Sequence, residues 1–152
     1  MIELDDIDRS ILRALQSDAT QGAGALGKRF GLSQPATWRR IKRLESAGVI
    51  AGRRILLDRE ALGFGVTVFL GVKLATKGRV SLEDFERAVT AIPEVQAVHH
   101  VLGLYDYRLR VVARDLADFE RVLRRRIMTL PGVGNVEANV ILTEERLAGP
   151  IG

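Results

Sequence analysis

The chain has 152 residues, with 23 Lys and Arg against 19 Asp and Glu, and no cysteine. That length holds one medium domain or two small ones, and the missing cysteine excludes a disulfide framework and a thiolate metal site. The acidic opening MIELDDIDRS is no signal peptide, and Val66 to Leu74, the most apolar stretch, is too short to span a bilayer, so a cytoplasmic protein without membrane contact is expected.

The net charge of +4 is modest, but it is unevenly spread. Residues 1–20 hold Glu3, Asp5, Asp6, Asp8 and Asp18 against Arg9 and Arg13. Residues 28–54 hold Lys28, Arg29, Arg39, Arg40, Lys42, Arg43, Arg53 and Arg54 against Glu45. Such a cluster is either a footprint for a polyanion or a solvated helix face.

Along the chain, Ile7, Ile11, Leu12 and Leu15 form the stripe of an amphipathic helix, with Asp5 as its N-cap. A second helix follows through Leu26 and Phe30, weakened by Gly22, Gly24 and Gly27. Gly31-Leu32-Ser33 reads as a tight turn: Gly31 ends one helix in the left-handed conformation and Ser33 caps the next. In that third helix Thr37, Ile41 and Leu44 share one face, while Gln34, Trp38 and Lys42 share another, flanked by Arg39 and Arg43. Helix, glycine turn and basic helix make a helix-turn-helix pattern. Glutamine reads adenine edges and arginine reads guanine edges in the major groove, while Lys and Arg neutralise phosphates. The candidate DNA-binding residues are therefore Ser33, Gln34, Thr37, Trp38, Arg39, Arg40, Lys42, Arg43 and Arg53. Trp38 either touches a thymine methyl or packs against a neighbouring helix, and packing is the expected role. After Gly48, VIAGRRILLD reads as a short strand or wing, and REALGFG as a hinge.

The remainder opens on a strand, VTVFLGVKL, apolar on both faces. An internal repeat follows: SLEDF from Ser81 and DLADF from Asp115 each offer a cap and open a helix. Each helix closes on a proline signal, Ile92-Pro93 and Leu130-Pro131, and each leads into a strand. The ends lie farther apart than the starts by about one turn, so the second helix is expected to be longer. YRLRVVA alternates Tyr107, Leu109 and Val111 inward against Arg108 and Arg110. The fold class is α+β: a winged helix-turn-helix head joined to a ferredoxin-like βαββαβ domain. Expected boundaries are 1–52 for the head, 53–65 for a linker, 66–145 for the second domain and 146–152 for a tail. Two helices cover one face of a four-stranded sheet, so a second copy is expected on the other.

The segments LDDIDRSILRALQSD, GLSQPATWRRIKRLESAGVI, DREALGF, PEVQAVHHVLGLYDYRLRV and LPGVGNVEANVIL, in this order, resemble the Lrp/AsnC family of transcription regulators. The resemblance covers about Leu4 to Arg146. It implies dimers pairing through the C-terminal sheets, further assembly into octamers or related rings, and small effectors, usually amino acids, bound near the Gly-x-x-Asp-Tyr loop. The chain departs from the family at Thr20, Gln21 and Gly22, where an Arg and a Ser or Thr usually open the second helix. It also lacks the threonines that some members carry in the last strand, here VEANV.

Both histidines, His99 and His100, precede that loop. Neighbours in a strand face opposite sides, so the two do not converge on one metal, and zinc needs three or four ligands. No metal and no cofactor is expected. The loop offers an α-amino acid a turn backbone for its carboxylate and Asp106 for its ammonium group. The competing reading is a plain hairpin in which Asp106 satisfies its own turn. The candidate effector residues are His100, Leu102, Gly103, Leu104, Tyr105, Asp106 and Tyr107. The scaffold is also similar to that of sirohaem decarboxylases, where a histidine acts on tetrapyrrole propionates. The basic head favours a DNA-binding regulator over that enzyme and over an effector-free assembly protein, and no catalysis is expected.

Overall fold

The computed structural model describes residues 1–75 and 78–151. The chain falls into two compact units: Met1–Leu56 together with the residues from Glu145 onward, and Leu57–Glu144.

The first unit holds α1 (Asp6–Ser17), α2 (Ala23–Phe30) and α3 (Gln34–Ser46). Asp5 caps α1 as expected, and a reciprocal bond from the Asp5 backbone N–H to the Asp8 carboxylate completes a capping box. Ile11, Ala14, Leu26 and Ile41 form the core, with Ile7, Leu15, Phe30, Leu32 and Ile50 packed around it. Gly31 takes the left-handed conformation at φ 71°, and Ser33 caps α3 through the Ala36 N–H. Gly27 has a different task. A Cβ there would lie 2.6 Å from the Leu32 carbonyl oxygen and 2.9 Å from Thr37 Oγ1, so only glycine lets α2 approach the turn and α3 this closely. Residues 51–58 take no regular structure, so the expected strand or wing does not form among the described residues. A strand needs a partner for its backbone groups, and Ile55, Leu56 and Leu57 are exposed and pair with no strand among the described residues. The C-terminal tail, expected as a separate segment, groups with this unit, where the Ile151 N–H donates to Gln16 Oε1 at 3.2 Å.

The second unit opens with a turn at 59–63, where Gly63 is left-handed. Its elements are β1 (Val66–Leu74), α4 (Arg79–Thr90), β2 (Val95–His100), β3 (Tyr107–Ala113), α5 (Leu116–Val122) and β4 (Val133–Val140). The sheet runs β2-β3-β1-β4 with every neighbouring pair antiparallel, the split βαβ order expected from the sequence. Val68, Leu70, Val72 and Leu74 of β1 and Tyr107, Leu109 and Val111 of β3 face the helices and bury against Phe85, Val89, Phe119, Val122 and Ile127. The opposite face of β1 carries Phe69, Gly71 and Lys73, and Phe69 is exposed.

Two expectations about the helices are corrected. Ser81 is not a cap: α4 begins at Arg79, so Ser81 sits inside its first turn, while Asp115 does cap α5. The second helix is not the longer one. Its seven α-helical residues continue as a five-residue π-helical segment, Leu123–Ile127, with the Met128 N–H bonded to the Leu123 carbonyl, against 12 residues in α4. The wider π turn and the earlier start of α4 absorb the difference.

Candidate functional site

The α3 helix has one buried face and one open face. Thr37, Ile41 and Leu44 are buried, and Gln34, Trp38, Arg39 and Lys42 are exposed. Thr37, read from sequence as a DNA contact, is corrected: it is fully buried, and its hydroxyl donates to the Ser33 carbonyl at 2.9 Å. Its place on the stripe of Ile41 and Leu44 commits it to the core. Trp38, expected to pack against a neighbouring helix, stays more than half open to solvent. It is 54% exposed, with Lys42 Nζ 5.6 Å from its ring centroid.

Arg40 and Arg43 reach back to the start of α1. Arg40 Nη1 lies 2.7 Å from Asp5 Oδ2 and 2.9 Å from Asp8 Oδ1. Arg43 pairs with the other oxygen of Asp8 and reaches the Glu3 carbonyl at 3.4 Å. Asp8 is 1% exposed, so one buried carboxylate fastens two arginines of α3. The Asp5 carboxyl is held below its ordinary value, chiefly by the Asp8 N–H and then by Arg40. Arg40 is held above its ordinary value by Asp5 and then Asp8. In the last turn of α3, Glu45 accepts from Arg53 at 2.8 Å and from Lys42 at 3.2 Å, and the two cations hold its carboxyl below the usual range. Sequence reading missed Asp8 as a partner, although its signal was present: an acidic residue at the third helical position, ahead of a basic helix.

The loop between β2 and β3 sends its side chains in opposite directions. His100 pairs in register with Tyr107 and stacks on its ring at 4.7 Å and 17°, so it looks toward the helices. His99 pairs with exposed Arg108 on the other face. Tyr107 is buried beside Phe85, and its hydroxyl donates to Glu86 of α4; burial and then the Glu86 charge push its acidity far down. Tyr105 goes the opposite way. Its ring lies over Gly71, where a Cβ would come within 2.8 Å, and its hydroxyl donates to Glu137. Between the two tyrosines, Asp106 Oδ2 accepts from the Leu74 N–H at 2.8 Å, and its backbone joins Val72 and Val101 at 2.9 Å each. Neither sequence reading of Asp106 anticipated this bond to β1. Gly103 takes no left-handed conformation, and a Cβ there would meet nothing within 4 Å. Leu102 and Leu104 stand out from the tip at 105% and 73% exposure. The loop thus brings His100 and Tyr107 together and leaves Leu102, Gly103 and Leu104 open. Among the described residues, no three His, Asp or Glu side chains gather as a metal site, and no helix is long and apolar enough to cross a membrane.

Comparison with known proteins matches residues 4–45 to the AsnC-type helix-turn-helix domain and residues 67–148 to the Lrp/AsnC ligand binding domain. The chain is 37% identical over 147 residues to the proline dehydrogenase transcriptional activator of Rhizobium radiobacter, covering 97% of this chain and 94% of that one. It is 36% identical over 141 residues to the leucine-responsive regulatory protein of Haemophilus influenzae, covering 93% and 85%. Among solved structures it is similar to a transcriptional regulator of Neisseria meningitidis in complex with L-Met, with a TM-score of 0.93, 28% identity and coverage of 99% and 97%. An AsnC family transcriptional regulator from Agrobacterium tumefaciens gives a TM-score of 0.90 at 34% identity, covering 98% and 97%.

Proposed function

The chain belongs to the Lrp/AsnC family of transcriptional regulators, with a helix-turn-helix DNA-binding domain and a ligand-binding domain, and from this premise we propose how its own residues divide the work. Residues 1–52 are the DNA-binding head, 53–65 the linker, 66–145 the effector-binding and assembly domain, and 146–152 the tail. The exposed face of α3 enters the major groove, with Gln34 and Trp38 at base edges and Arg39 and Lys42 beside phosphates. Ser33 presents the start of that helix, Arg53 flanks its end, and Arg40 and Arg43 set its angle through Asp5 and Asp8. The single observation that carries this reading is the division of α3 into a buried stripe of Thr37, Ile41 and Leu44 and an exposed stripe of Gln34, Trp38 and Lys42 beside it.

An amino acid is the proposed effector, held at the tip and flank of the loop from His100 to Tyr107. The L-Met complex of the Neisseria regulator supports that class of ligand, and the exposed Leu102 and Leu104 offer its side chain an apolar surface. Copies pair through the sheet face that carries Phe69 and Arg108, and dimers assemble further into rings. The protein works in the cytoplasm as a regulator and not as an enzyme, without a cofactor.

Selection of genomic DNA fragments on the purified protein, followed by sequencing and by calorimetric titration with the amino acids, tests both halves. Enrichment of fragments sharing one motif, and heat with at least one amino acid, are expected. Random recovery overturns the DNA-reading half, and an absence of heat with every amino acid overturns the effector half.

A further inference from the structure

We infer that Trp38 is a specificity-determining residue that reads thymine, placing its indole face against the 5-methyl group of a thymine in the major groove. This rests on the DNA-reading role proposed for α3. Gln34, Trp38 and Lys42 fall at successive turns and form one exposed stripe, roughly 12 Å long, about a quarter turn around the helix from the stripe that fills the core. Trp38 is at its centre. The other large apolar side chains of α3 are buried, Ile41 at 8% and Leu44 at 0% exposure, while Trp38 stays 54% exposed. An exposed indole leaves a large apolar area in water unless a partner covers it.

The surroundings decide what that partner is. Lys42 lies over the Trp38 ring and exposed Arg39 is next in sequence, so the patch suits a polyanion. Of the four bases, only thymine offers an apolar group on the major-groove edge. Gln34, one turn before Trp38, supplies the bidentate amide that matches adenine. The pair therefore favours a site with A·T steps, thymine under Trp38 and adenine under Gln34. In the free protein the Gln34 amide lies near Gly24 of α2, its Oε1 3.4 Å from the position a Cβ there would take.

Trp38 is the one tryptophan in the chain, so its fluorescence reports this position alone. In the full-length free protein, acrylamide should quench it readily, and a selected DNA fragment should protect it. Replacing thymines by uracil one at a time removes only the methyl. Wild-type protein should lose about fourfold in affinity at one or two positions in each half-site, the value of one buried carbon. Trp38→Ala should bind the thymine and uracil versions equally, Trp38→Phe should keep part of the difference, and both should melt like wild type because the side chain is exposed. Equal binding of thymine and uracil DNA by wild type at every position overturns the inference, as does a Trp38→Ala variant that keeps the full difference. Protection of Trp38 before DNA is added also overturns it, because a protein surface then covers the ring. Recovery of no specific DNA at all overturns the DNA-reading proposal itself and this inference with it, which is a distinguishable result.

Discussion

Replacing Asp8 by alanine should loosen the DNA-binding head more than any loss of a surface charge would. The carboxylate is 1% exposed and accepts from the Asp5 N–H, Arg40 and Arg43. Breaking a fully buried ion pair costs about 3–5 kcal/mol because an uncompensated charge is left behind. Here the two guanidinium groups are 27% and 45% exposed, and Arg40 retains Asp5, so water and Asp5 recover part of that cost. Loss of the reciprocal cap adds about 1 kcal/mol. The sum is about 2–4 kcal/mol, which in a unit this small lowers the melting temperature on the order of 10–20 °C. Thermal and urea unfolding followed by circular dichroism read the effect directly. Asp8→Asn should fall between wild type and alanine, since its amide oxygen still accepts one bond. Arg43→Ala should cost less than Asp8→Ala, because Asp8 then keeps Arg40. Two results refute this reasoning: an Asp8→Ala protein as stable as wild type, or an Arg43→Ala protein that melts normally but loses about one unit from the slope of log affinity against log salt. The second would make Arg43 a phosphate contact and not a clamp.

Gly27→Ala should destabilise the head by about 1–3 kcal/mol, because the added methyl runs into the Leu32 carbonyl and Thr37; Gly103→Ala, placed in open space, should leave the melting curve unchanged. Tyr107→Phe should cost about 1–3 kcal/mol, since Glu86 loses its donor in a partly buried site, and calorimetric unfolding measures it. In acid, Asp5 and Asp18 have carboxyls lowered from the ordinary 3.8, so they contribute stability above that value that is lost as pH falls through their folded values. Melting temperature against pH should therefore drop steeply below about 3.8, and the drop should be shallower in an Asp18→Asn variant.

The sequence reveals those features whose causes lie within a few residues. The Gly31-Leu32-Ser33 turn, the buried stripe of α3 and the inward alternation of Tyr107, Leu109 and Val111 all follow from local period and local conformational preference. The Asp8 clamp depends on partners 32 and 35 residues away, which no local pattern relates. Asp106 bonds the backbone of a strand that precedes it by 32 residues, so reading its own turn pointed only to ligand or self-capping. Gly71 makes room for the ring of Tyr105, a residue outside its own strand that no local pattern relates to it. The wing at 51–58 failed for a related reason: β-branched and apolar composition marks a segment able to pair, and pairing requires a second segment in reach.

The opposed directions of Tyr105 and Tyr107 have a consequence for how such a regulator can diversify. The two rings straddle Asp106, and Asp106 is pinned to β1 through its carboxylate and through its backbone. A single residue inserted between them would send one ring to the wrong side of the sheet, so this part of the loop tolerates no change in length. The tip from Leu102 to Leu104 carries no such constraint, because its side chains touch neither face. Sequence change is thereby channelled to the exposed tip, the part proposed to meet an effector, while the frame behind it stays fixed.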